Sequence, residues 1–135
     1  MSQIISYLTF NGNCREAMTF YKECLGVELS FQTIEGSSFS EKMPRKMKRC
    51  ILHSTLINES LVIMATDCVK VEGLIKGNAV SLCLNCNSIN EIKTFYKKLA
   101  AEGRVDQPLK KTFWGAIFGS LKDKYGHHWL LNYSK

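Results

Sequence analysis

Apolar residues at Cys14, Ala17, Met18, Tyr21, Cys24 and Leu25 are spaced three and four apart, so they lay one stripe along a helix. The tetrapeptide TFYK lies inside this stretch, at Thr19–Lys22, and returns 75 positions later at Thr94–Lys97. Moving the stripe by the same interval gives Ile89, Ile92, Lys93, Tyr96, Leu99 and Ala100, of which five are apolar. A second helix with the same buried face is therefore predicted. Asn13 with Glu16, and Ser88 with Glu91, place a capping residue three positions before a glutamate at each helix start. Gly26 and Gly103 are the expected left-handed stops.

The flanking pattern repeats as well. Strand candidates Ile4–Phe10 and Ala79–Cys86 precede the helices, and in the second Val80, Leu82, Leu84 and Cys86 share a face. A hairpin follows each helix. The first runs from Cys50 to Ile57, turns at Asn58–Ser60 and returns through Leu61–Ala65. The second runs from Phe113 to Leu121, turns at Asp123–Gly126 and returns through His127–Tyr133. Val27–Thr33 and Gly103–Leu109 supply one further strand each. The chain reads as two strand-helix-strand-strand-strand modules, 1–70 and 79–135, joined near Val71–Asn78 within one domain of 135 residues.

Composition narrows the class. No basic start followed by a long apolar run opens the chain, and no stretch approaches about 18 uninterrupted apolar residues, so neither secretion nor membrane spanning is expected. The six cysteines sit inside apolar periodic segments, the pattern of reduced thiols in a cytoplasmic protein. Cys83 and Cys86 form a Cys-x-x-Cys, but a strand turns them to opposite faces, which excludes a shared metal ion. The net charge of +6 owes much to the run Lys42–Arg49. No nucleic-acid motif accompanies it, so a small anion is the better partner.

At this point the chain resembles the vicinal oxygen chelate superfamily, and within it the PhnB-like branch of the glyoxalase and bleomycin-resistance group. The resemblance is carried by YLTFNGNCREAMTFYKECLG (Tyr7–Gly26), CILHSTL (Cys50–Leu56) and TFWGAIFGSLKDKYGHHWLLNY (Thr112–Tyr133). It implies an α+β fold in which two βαβββ modules form a curved mixed sheet around a cup. Relatives often bear a demethylubiquinone methyltransferase label; this chain has no glycine-rich nucleotide loop after a strand to support that chemistry.

Metal enzymes of the superfamily hold a divalent ion with His and Glu side chains, one from each of four strands. The resemblance maps those positions to Ser6, His53, Ser81 and Leu130, and His53 alone is a conventional ligand. His128 shares a face with Leu130 and would make an unorthodox pair with His53, whereas His127 faces the other way. The expectation is a site without metal or other cofactor, lined by Ser6, Leu8, His53, Thr55, Ser81, Cys83, Trp114 and Leu130.

Two activities fit this lining. One is binding of a small neutral or anionic organic molecule, with Arg49, Arg104, Lys110 or Lys111 at the rim; cationic ligands, taken by drug-sequestering relatives, are repelled by the +6 charge. The other is lyase, isomerase or dioxygenase chemistry with His53 as the catalytic base or metal ligand. A homodimer is the expected assembly, with no nucleic-acid or membrane partner.

Overall fold

The computed structural model describes residues 2–33, 51–58, 61–69 and 73–134. The basic run Lys42–Arg49, the strand start Cys50, turn residues Glu59 and Ser60 and the junction residues Val71 and Glu72 lie outside the described residues. Two compact units, 1–75 and 76–135, divide the chain.

In the first unit the order is β1 (Ser6–Thr9), α1 (Cys14–Leu25), β2 (Glu28–Thr33), β3 (Ile51–Asn58) and β4 (Leu61–Thr66). The second repeats it with β5 (Leu82–Asn85), α2 (Ile89–Ala100), β6 (Arg104–Lys111), β7 (Ile117–Lys122) and β8 (His128–Tyr133). Each unit builds one four-stranded mixed sheet, β1-β4-β3-β2 and β5-β8-β7-β6. The first strand of each module runs parallel to the last, and the remaining pairs are antiparallel. The two modules are thus similar in element order, pairing and direction, as the repeated tetrapeptide implied.

All six stripe residues of α1 are buried. They pack on the sheet face of Leu56, Ile63 and Ala65, and Cys14 Sγ approaches Ser54 Oγ at 3.4 Å. The α2 stripe is narrower. Ile92, Tyr96 and Leu99 are buried, whereas Ile89 is exposed. Gly119 of β7 leaves room for the Tyr96 ring, since a Cβ there would stand 3.0 Å from Tyr96 Cε2. The Tyr96 hydroxyl shares its proton between the carbonyl oxygens of Gln107 and Ser120, at 2.8 and 2.9 Å.

Several element ends differ from the pattern-based expectation. Ile4 is fully exposed, and β1 starts only at Ser6. Val80 is 78% exposed and lies outside β5, so it does not share the Leu82 and Leu84 face. Phe113 and Trp114 form a turn before β7, closed by Gly115 N–H donating to the Thr112 carbonyl at 3.1 Å. Gly26 is the left-handed stop expected of it, with φ 66°. At the end of α2 the positive φ falls on Glu102 instead. Gly103 is needed for space: a Cβ there would collide with the Lys122 carbonyl oxygen.

Candidate functional site

The site in the first unit is held by a carboxylate that no motif announced. Asp67 follows β4 and is buried. Its Oδ1 accepts from the backbone N–H groups of Gly12 and Cys14 at 3.0 and 2.9 Å, and Oδ2 accepts from Ile51 N–H at 2.8 Å. A buried charge needs such donors, and those at the start of α1 also carry the positive end of the helix dipole. One side chain therefore ties the β1–α1 connection, the start of β3 and the end of β4 together. Asn13 makes no side-chain capping bond, so the capping box expected at α1 is replaced by Asp67.

Pairing register assigns each β1 residue to a face. Ser6 and Leu8 lie opposite Ile63 and Ala65, on the face covered by α1. Tyr7 and Thr9 lie opposite Met64 and Thr66, on the face turned away from the helix, and Thr55 joins them through its pairing with Met64. His53 belongs to this second face: its Nε2 is 3.3 Å from Thr55 Oγ1 and its ring centroid 6.0 Å from that of Tyr7. The structure thus joins His53 with Thr55 but separates both from Ser6 and Leu8, which were expected beside them. A one-residue difference in strand register exchanges the faces.

Next to Tyr7 opens a pocket of about 680 Å³. Tyr7 and Thr9 line it from β1, Leu52 from β3 and Thr66 from the end of β4. Gln32 pairs with His53 and Thr33 with Ile51, so Leu52 is the extra residue of a bulge, a device that re-aims a side chain. Thr66 Oγ1 donates to the Leu52 carbonyl at 2.7 Å and accepts from Cys68 N–H at 3.0 Å, fixing that corner. Beyond it, Cys68, Val69, Leu74 and Ile75 complete the wall. None of the described lining residues carries a formal charge at neutral pH.

In the second unit the expected residues Cys83 and Leu130 fall on one face. Cys83 pairs with Leu130, which pairs with Ser120, and Ser81 lies two residues before Cys83 just outside β5. This face is turned away from α2, because Leu82, Leu84, Trp129 and Leu131 occupy the other. His128 lies two residues before Leu130 on β8 and shares its face. Trp114 is 63% exposed at its turn, its ring edge-to-face with Phe113 at 4.7 Å.

The ionisable groups divide by surroundings. Burial pushes the thiols of Cys14 and Cys86 up to about 12, which makes both poor nucleophiles. Burial lowers the His127 imidazole, against the opposing pull of Asp123. As a divalent-ion site the donors do not fit. His53 is accompanied on its face by hydroxyl groups, which are weak ligands, and among the described residues no group of three or more His, Cys, Asp or Glu could hold a metal ion.

Two βαβββ modules with four-stranded mixed sheets define a glyoxalase-like fold. A family model described as 3-demethylubiquinone-9 3-methyltransferase matches residues 2–132, and the chain belongs to that PhnB-like family of the vicinal oxygen chelate superfamily. Protein YjdN of Escherichia coli (strain K12) is 30% identical over 96% of this chain and 93% of its own. Two solved structures are also similar. PA1353 from Pseudomonas aeruginosa is 35% identical with a TM-score of 0.87, covering 99% of this chain and 98% of its own. The PhnB protein from Bacillus cereus is 30% identical with a TM-score of 0.74, covering 98% and 100%.

Proposed function

We propose that the protein binds a small neutral or anionic organic molecule, without a metal ion, in the pocket beside Tyr7. The observation that carries this reading is a cavity of about 680 Å³ whose described walls mix apolar side chains with hydroxyls and hold no acidic group. Such a volume lies within the range of small-molecule sites, about 300–1,000 Å³. A cationic ligand would find no carboxylate among the described lining residues, and the +6 net charge disfavours its approach. A cytoplasmic setting and a homodimer are part of the proposal.

The test is thermal shift across a panel of neutral, anionic and cationic metabolites, repeated on Thr9→Trp, which places a bulky ring on the pocket wall. Ligand bound to the folded state raises the melting temperature. Neutral or anionic hits that disappear in Thr9→Trp support the reading. Hits confined to cations, or indifferent to the substitution, overturn it.

A second reading, lyase, isomerase or dioxygenase chemistry, is favoured by the contact between His53 Nε2 and Thr55 Oγ1, which would orient the imidazole as a base. His53→Ala should then abolish turnover of glyoxal-type or catecholic substrates. Equal turnover in the variant removes this reading. Methyl transfer, named in the family's description, has little support in the β1–α1 connection, whose one glycine, Gly12, is no nucleotide-cradling motif.

A further inference from the structure

We propose that Tyr7 is the ring platform that sets the ligand class of this pocket: an uncharged, planar aromatic or heteroaromatic molecule stacked on its free face. The inference rests on the reading of the pocket as a ligand site and goes beyond it by naming the chemistry.

Three observations carry it. Tyr7 lines the pocket from the edge strand β1 and is 54% exposed, so its side chain is open to a ligand. Its ring is not loose. His53 stands against it with centroids 6.0 Å apart and planes inclined by 33°, and the strand beneath it is pinned through Thr66, Asp67 and the α1 start. A ring held in advance loses little freedom on binding, so its contact surface converts more fully into affinity.

The duplicated module supplies the control. Tyr7 pairs with Met64, which pairs with Thr55; at the same place in the second sheet Cys83 pairs with Leu130, which pairs with Ser120. The scaffold thus accepts a small side chain at this position. The ring belongs to the unit whose pocket it borders and is not a requirement of the fold.

The remaining walls select for the same chemistry. Leu52, Val69, Leu74 and Ile75 offer apolar surface, and Thr9 a hydroxyl to orient one polar substituent. The Thr66 hydroxyl proton is spent internally on the Leu52 carbonyl, and one of its lone pairs on the Cys68 amide. No formal charge on the described walls would repay desolvation of a charged ring.

The probes are 1-naphthol and its saturated counterpart, decahydro-1-naphthol, titrated calorimetrically into the full chain, Tyr7→Phe, Tyr7→Leu and Thr9→Trp. Naphthol should bind the parent protein about three- to tenfold more tightly than the saturated alcohol, the margin an aromatic pair adds beyond buried area. Tyr7→Phe should keep that preference, and Tyr7→Leu should remove it, bringing the affinities of the two alcohols together. Equal affinities in the parent protein overturn the ring platform and leave the pocket reading intact, a result that needs no variant to fold. Failure of both alcohols to bind, or binding unaffected by Thr9→Trp, overturns both.

Discussion

The two helices carry the same start signal and begin by different means. At α2 the Ser88 Oγ accepts from Glu91 N–H at 3.0 Å, and Glu91 Oε1 accepts from Asn87 N–H at 2.9 Å, so the cap closes within a few residues. At α1 the Asn13 side chain makes no capping bond and Asp67, 53 positions from Cys14 in sequence, accepts instead. The difference teaches that a local motif marks where a helix begins but does not decide what satisfies it. A buried carboxylate that also reaches Ile51 joins three segments, and the first module gains a fixed frame around its pocket.

The largest effect should follow Asp67→Ala. It strands three backbone donors at once, and we expect a loss of about 3–5 kcal/mol in urea unfolding, with Asp67→Asn intermediate. A loss near that of an ordinary surface substitution would remove Asp67 as the organiser of the first unit. Gly103→Ala comes next. The new methyl meets the Lys122 backbone carbonyl, which cannot swing aside as a side chain would, and about 1–3 kcal/mol should be lost.

The caps themselves give the sharpest contrast. Ser88→Ala should cost about 1 kcal/mol, whereas Asn13→Ala should cost less than about 0.5 kcal/mol, because only Ser88 makes the side-chain bond. Equal losses would mean that the two starts are alike after all. The smallest expected effect is on pH dependence. Burial lowers the His127 imidazole in the fold, with Lys76 and His128 acting in the same sense and Asp123 against. The unfolded chain therefore takes up the proton first, near pH 6.5 or about that value. His127 contributes stability that is complete above that pH and is lost as pH falls through the folded value. Urea midpoints should drop between pH 7.5 and 5.5 by less in His127→Gln than in the parent protein.

Much of this architecture was legible in the sequence. The stripes of α1 and α2, both hairpins and the duplication itself follow from period and repetition, since burial of a helix face demands such spacing. The end signals were less faithful. Gly103 reads as a left-handed stop, yet it serves close backbone approach while Glu102 takes the positive φ. Phe113 and Trp114 read as strand and form a turn.

The β1 face was misread for one traceable reason. The helices repeat at an interval of 75, which maps Ser6 onto Ser81, but pairing makes Tyr7 the counterpart of Cys83. The connection from β1 to α1 (10–13) is one residue longer than that from β5 to α2 (86–88), and a slip of one residue turns every side chain over. Ser6 and Leu8 were therefore expected where Tyr7 and Thr9 stand. His53 and Thr55, on a strand whose alternation is undisturbed at that point, were placed together correctly. The pocket is lined by Tyr7 and Thr9 and not by His53 or Thr55, and its walls beyond β1 could not be read from period. Leu52 reaches it through a bulge, and Cys68, Val69, Leu74 and Ile75 lie outside any helix or strand.

The most direct test of the central claim is an electron-density map of the protein purified without chelator and without added ligand. The account predicts ordered density for an uncharged ring compound lying against Tyr7, with a polar substituent toward Thr9. A cation bound by protein side chains at coordination distance, or an organic molecule seated away from Tyr7, would contradict it.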